Sequence, residues 1–157
     1  MKKLIFNLIL SLIILAISGC KQENDPAPLK FKGYDHNPIL NPGEPGSWDD
    51  QYVVCCYVLE YDDTIFLYYA GSHSKGGSSL GLATSADGYN FDKYPGNPIL
   101  TGDQQGYDAF SVGPAGILKE DSVWVLYFNA REIAGYGSGT SFGRATAKLL
   151  RGPWTKS

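Results

Sequence analysis

One stretch of this sequence is written twice. Residues 37–71 read NPILNPGEPGSWDDQYVVCCYVLEYDDTIFLYYAG, and residues 97–130 read NPILTGDQQGYDAFSVGPAGILKEDSVWVLYFNA. With one residue skipped, Trp48 falls on Tyr107, Asp49 on Asp108, Val53 on Val112, Leu59 on Leu118, Leu67 on Leu126 and Tyr68 on Tyr127. The match continues outward. Gly81, Ala83 and Thr84 face Gly143, Ala145 and Thr146, and an aromatic followed by a lysine closes each unit, as Phe91 with Lys93 and as Trp154 with Lys156. An earlier instance of the closing signal lies at 31–40, beside 91–100. A period of about 60 residues requires stacked supersecondary units that share faces, and here it predicts two whole repeats and the start of a junction toward a third.

Within a repeat the spacing predicts strands. Residues 53–60 and 64–70 are rich in β-branched and aromatic side chains, with Tyr61-Asp62-Asp63 as a tight turn between them. A glycine-rich loop over 71–79, a small-residue strand over 80–85, a turn at Ala86-Asp87-Gly88 and a short strand through Phe91 complete the unit. The second repeat places strands at 112–119, 122–130, 141–148 and Trp154. No segment carries a 3.6-residue apolar period, so the expectation is an all-β chain. Four short antiparallel strands per repeat, in tandem, predict a partial β-propeller of two blades, 31–96 and 97–157. The turns after first and third strands are tight, whereas the loops entering first strands and leaving second strands are long. Function is therefore expected at the long-loop end.

Residues 1–19 are expected to stand outside this fold. A Met-Lys-Lys start, an apolar run from Leu4 to Ile17 and a small-residue ending read as a signal peptide, too short to span a bilayer comfortably. Ser18-Gly19-Cys20 resembles a bacterial lipobox, which makes Cys20 a lipidation site and residues 20–30 a polar tether from membrane to domain. An exported, membrane-anchored lipoprotein follows, and Glu23-Asn24-Asp25 resembles signals for surface display. Without Lys2 and Lys3 the chain holds 11 basic and 16 acidic residues, a net of −5, which offers nucleic acid no basic face. Cys55 and Cys56 are adjacent in a strand, where side chains alternate, so they read as small buried hydrophobes that do not bond each other. No metal or cofactor is expected, since the required Cys/His spacing is absent.

NPIL, then Ser47-Trp48-Asp49, then a hairpin ending in Leu67-Tyr68-Tyr69-Ala70-Gly71, then Gly81-Leu82-Ala83-Thr84-Ser85 with Asp87-Gly88 and Phe91, resembles the five-bladed propeller glycosidases of glycoside hydrolase family 43 and its relatives in families 32 and 130. The resemblance spans residues 31–157. It implies hydrolysis of glycosidic bonds in oligo- or polysaccharide by two carboxyl groups in a central pocket, one protonating the leaving oxygen and one activating water or attacking. In family 43 the base is an aspartate before a proline on a first-blade inner strand, and the acid is a glutamate of the third blade. The first position falls here on Val54-Cys55 and on Gly113-Pro114, and a third blade is not present, so an inactive partial propeller is implied. A non-catalytic glycan-binding surface lipoprotein is the competing class. Ser85 to Phe91 also resembles the Asp-box of sialidase-type propellers, without its residue between Asp and Gly.

Asp49 and Asp108 are the candidate catalytic carboxylates, because each follows an aromatic on the long-loop end; a turn-capping role is the alternative. The two are expected on neighbouring strand entries, close enough to line a common cavity. Trp48 and Tyr107 are candidate sugar-stacking rings, and Arg131 with Glu132, which lack counterparts in the first repeat, are candidate substrate contacts. His73 has no second ligand at metal spacing. Asp62, Asp63, Asp87 and Asp121 read as turn residues. Two blades alone leave faces open, so Phe66, Tyr68, Val125 and Tyr127 are expected at surfaces prone to self-association.

Overall fold

The computed structural model describes residues 30–72, 76–132 and 139–157. The leader, Cys20, His73 and most of the tether lie outside the described residues. The chain divides into two units, Met1–Asp35 and His36–Ser157. In the first, Lys32 and Asp35 form an exposed ion pair at 3.8 Å.

The second unit holds two four-stranded antiparallel sheets, each in sequential strand order. Sheet one comprises β1 (Tyr52–Tyr61), β2 (Thr64–Ser72), β3 (Ser79–Ser85) and β4 (Asp92–Lys93). Sheet two comprises β5 (Ser111–Glu120), β6 (Val123–Arg131), β7 (Thr140–Ala147) and β8 (Thr155–Lys156). Both expected blades are present, each a simple up-and-down meander. The hairpin turns are built as the sequence predicts: Asp62 and Asp63 take left-handed φ of 52° and 54°, and Asp121 one of 49°. Primed turns need such angles, and Asp tolerates them better than β-branched residues.

Each first strand bulges at the corresponding place, between Val54 and Tyr57 in β1 and between Pro114 and Gly116 in β5. Cys55 sits in the first bulge with φ of 49°. This corrects the expectation for the cysteines. Both are exposed, because the bulge takes them out of the alternating ladder that would have turned one inward.

Alternation along β2 divides its side chains between two faces. Tyr68, with Leu80 and Leu82 of β3, faces sheet two and packs into one core with Val112, Leu126, Phe128 and Ala145. Leu67, Tyr69 and Ala83 face the other way, under Leu40, Trp48, Val53 and Phe91. Polar contacts fix the sheet-to-sheet register. Tyr68 donates its hydroxyl to Leu150 O at 2.7 Å, Val112 N–H donates to Ser78 O at 2.9 Å, and Ser78 Oγ donates to Val112 O at 3.0 Å. Tyr68 and Val125, expected at a surface, are fully buried; of that group Tyr127 stays exposed. The reason for Tyr68 is the face it takes, the one that sheet two covers.

The NPIL segment of the second repeat is an edge strand of the first. Leu80 N–H donates to Leu100 O and Ile99 N–H to Leu80 O, both at 2.8 Å. Asn97 imitates the backbone, accepting from Leu82 N–H at 2.9 Å and donating to Leu82 O at 2.8 Å. This belt extends β3 beyond the two residues that β4 pairs.

Candidate functional site

Strand direction places the entries to β1 and β5 at the end of the sheets opposite the Asp62 and Asp121 turns. Ser47-Trp48-Asp49 and Tyr107-Asp108 therefore share one end, as expected. What they do there differs from the expectation.

Trp48 lies flat across sheet one. A Cβ at Gly81 would stand 2.7 Å from the Trp48 ring and 2.7 Å from Tyr69, and one at Gly71 would stand 2.8 Å from the same indole. Glycine is needed at both positions for the ring to approach the backbone. The indole stacks on Tyr69 with centroids 5.7 Å apart. Behind it Asp49 is 1% exposed. Its Oδ2 accepts from Lys93 Nζ at 2.6 Å and from Tyr69 Oη at 3.0 Å, and its Oδ1 accepts from Ser47 Oγ at 3.3 Å. Burial, and then the neighbouring Asp49 charge, raise the Tyr69 pKa well above the ordinary phenol value, so Tyr69 stays a donor.

Sheet two repeats the arrangement with different parts. Tyr107 stacks near Phe128 at 6.4 Å, over Gly143. Asp108 is 0% exposed and accepts from Lys156 Nζ through Oδ2 and from Asp103 N–H through Oδ1 at 3.2 Å. Lys156 also donates to Asp103 Oδ1 at 2.9 Å. Burial lowers the Lys156 pKa, but its hydrogen bonds to Asp108 and Asp103 outweigh that and hold the ammonium above its ordinary value.

Each recurring aspartate thus pins the loop entering the first strand to the lysine on the fourth strand of its own blade. Charges this deep persist because they are paired and hydrogen-bonded. The expectation that Asp49 and Asp108 line a common cavity is corrected by this geometry: a solute cannot reach carboxylates sealed by their own blade. The sequence carried the partner in plain view, since Lys93 and Lys156 are the lysines of the closing signal. Pairing residues 44 and 48 positions apart, however, requires knowing that the fourth strand returns beneath the entry loop.

The other candidates divide by exposure. Tyr107 keeps 40% of its surface open, and Trp48 is half-buried by its packing. Arg131 is half-buried at the end of β6, where its carbonyl accepts from Phe110 N–H at 2.8 Å, and Glu132 is exposed beside it. The structure brings these four to one end of the two sheets. Asp87 is a turn residue as expected: Ser85 Oγ donates to it at 2.9 Å, and Tyr89 N–H and Asn90 N–H do so at 2.8 Å. The backbone and side-chain bonds from Asn90 lead in depressing its pKa below the usual carboxylate range. A cavity of about 590 Å3 lies at the opposite, tight-turn end, lined in part by Tyr61, Lys119, Trp124 and Arg151. Lys119 there sits 5.5 Å from the Tyr61 ring and 5.4 Å from Trp124, so both rings already hold a cation. Among the described residues no cluster of three or more potential metal ligands occurs, and no helix is long and apolar enough to cross a membrane.

Two meander blades packed face to face, with long loops gathered at one end, define part of a β-propeller. Solved structures share it. A glycoside hydrolase superposes with a TM-score of 0.58 at 23% identity, over 76% of this chain and 36% of its own. A complex of BT0996 with RGII does so with a TM-score of 0.57, at the same identity and coverage. Two uncharacterized proteins of Mycobacterium tuberculosis, MT1551 of strain CDC 1551 and Rv1502 of strain H37Rv, are each 27% identical over 107 residues, 66% of this chain and 34% of their own length. The chain spans about a third of these relatives. No family model matches it.

Proposed function

We propose that this chain is a carbohydrate-binding segment of a glycosidase-type propeller, held outside the inner membrane, on the periplasmic or cell-surface side, through a lipid on Cys20 and without hydrolytic turnover of its own. One observation carries the non-catalytic part: both strand-entry carboxylates are buried in lysine pairs, so neither is available to protonate a leaving oxygen or activate water. Binding rests on what stays open at the same end, the Tyr107 ring and Glu132, with the half-buried Arg131 beside them at the end of β6. The similarity to the BT0996 complex with RGII supports carbohydrate as the ligand class.

Titration calorimetry with plant and microbial oligosaccharides tests the reading. Tyr107→Ala should weaken binding by about 1 kcal/mol, the order of one lost ring contact. Arg131→Ala and Trp48→Ala should weaken it too, while Asp62→Ala at the far end should leave it unchanged. The wild type should show no turnover of aryl glycosides. Turnover abolished by Asp49→Ala or Asp108→Ala would restore the hydrolase reading. Cys20→Ser should release the protein from the membrane fraction, and retention there would make the leader a membrane span instead.

A further inference from the structure

The cavity of about 590 Å3 at the tight-turn end lies in the seam between the two sheets. Sheet one gives it the β1–β2 hairpin, and sheet two gives it the β5–β6 hairpin and the turn after β7. Tyr61 and Trp124 join the two sides edge to face, with centroids 4.9 Å apart. The turn after β7 is anchored, because Leu150 O accepts from the Tyr68 hydroxyl at 2.7 Å and Leu149 O from Gly152 N–H at 2.9 Å. Trp124 and Leu150 are buried and make the apolar part of the lining, while Tyr61 keeps 42% of its surface open. The volume falls among those of small-ligand sites, roughly 300–1,000 Å3.

Much of the remaining lining is charged. Lys119, Lys148 and Arg151 share the cavity with Asp62 and Asp121. Both signs are present, yet among the described residues none of the five forms an ion pair. Each is placed by something other than an opposite charge. Lys119 lies against the Tyr61 and Trp124 rings, Asp62 and Asp121 take the left-handed angles of their hairpin turns, and Lys148 and Arg151 flank the anchored Leu149-Leu150. The aspartates belong to the plan of the blade, since they recur. The lysines do not: Glu60 and Ala86 hold the positions of Lys119 and Lys148 in the first repeat.

We infer that this cavity binds a sugar acid, as the free acid or as one uronate unit of a polysaccharide. The ligand's carboxylate accepts from Lys148 and Arg151, its ring hydroxyls donate to Asp62 and Asp121, and its C–H face packs on Tyr61. Acceptors and donors together select this class. A phosphate or sulfate has little to donate to two aspartates and is repelled by them, whereas a neutral sugar leaves the cations unmatched. The site stands apart from the long-loop end and does not rest on binding there. Asp62→Ala, without effect on neutral glycan at that end, should weaken the sugar acid here.

Titration calorimetry on the full chain in mild detergent tests the inference, with D-glucuronate and D-galacturonate compared with D-glucose and D-galactose. Each acid differs from its parent sugar at C6 alone. At least one uronate should bind, and its parent should not. Lys148→Gln and Arg151→Gln should each weaken that binding about tenfold, the order of one charge-assisted hydrogen bond, and Asp62→Ala about threefold. Both cations are exposed, so these variants should keep the wild-type circular dichroism. Added salt should weaken the wild-type binding with no substitution at all. A trimer of the bound uronate that is held more tightly than the monomer makes polysaccharide the source, and one held equally or less tightly makes it the free acid. A uronate held no better than its parent sugar, an affinity unchanged in both glutamine variants, or inorganic phosphate that displaces the uronate at equal concentration would overturn the inference.

Discussion

The two blades share a strand plan, a bulge and a buried aspartate–lysine pair, and they differ in what covers them. In sheet two the face holding Val112, Leu126 and Phe128 is sealed by sheet one, whereas the same face of sheet one, with Val53, Leu67 and Tyr69, borders an open groove. They differ also in how the buried carboxylate is served. Among the described residues Asp49 is the one carboxylate on Lys93, and it also accepts from Tyr69, while Lys156 has Asp103 as a second partner beside Asp108. A repeat thus transmits the device that locks a blade, whereas the environment of that device depends on the blade's place in the stack.

The strongest test of this comparison removes the aspartates. Asp49→Ala should cost about 3 kcal/mol, since it strands a half-buried ammonium and deprives a buried phenol of its acceptor. Asp108→Ala should cost less, about 2 kcal/mol, because Asp103 remains on Lys156. Urea midpoints decide the order, and a larger loss at Asp108 would break it. Next come the glycines beneath the rings. Gly143→Ala drives a methyl into Phe128 and Tyr107 under a sealed face and should cost about 2 kcal/mol, whereas Gly81→Ala presses on Trp48 at an open face and should cost about 1 kcal/mol. Equal losses in thermal unfolding would mean that the cover is irrelevant.

A smaller difference is expected at the paired tyrosines. Tyr68→Phe loses a buried hydrogen bond to Leu150 O and should cost about 1 kcal/mol, while Tyr127→Phe should stay within about 0.5 kcal/mol of wild type. The smallest effect is a response to acid. The Asp87 pKa is depressed below its ordinary 3.8 by the bonds it accepts, so its contribution is present above that value and is lost as the pH falls toward the folded value. Below about pH 4 amide exchange should quicken in the turn after β3 and not in the corresponding turn after β7, where residues 148–152 include no aspartate. Equal responses in the two turns would remove Asp87 as the cause.

Much of the fold was legible because the signals are local. Alternating β-branched and aromatic residues marked β1, β2, β5 and β6 to within two residues, and Asp62-Asp63 marked a turn whose angles few other residues tolerate. The bulges were not legible, since nothing in Val54-Cys55-Cys56 says that alternation fails there, and the cysteines were placed inward for that reason. At the site, recurrence identified Asp49 and Asp108 and even the two lysines, but it could not say that they meet. That meeting is a property of the meander, which brings the fourth strand back across the face that the entry loop covers. Leu80 and Phe142 hold the same repeat position with opposite exposure, for among the described residues it is Leu80 that packs into the core between the sheets.

The central claim is that the recurring aspartates lock the blades and are not open to substrate. A double-mutant cycle on Asp49 and Lys93, read as unfolding free energy for Asp49→Asn, Lys93→Met and the two together, tests it most directly. Coupling of about 2 kcal/mol is expected, well above the roughly 0.3–0.5 kcal/mol within which independent sites add. Additive losses, together with glycan binding or glycoside turnover that vanishes in Asp49→Asn at unchanged stability, would contradict the claim and return Asp49 to the active surface of the protein.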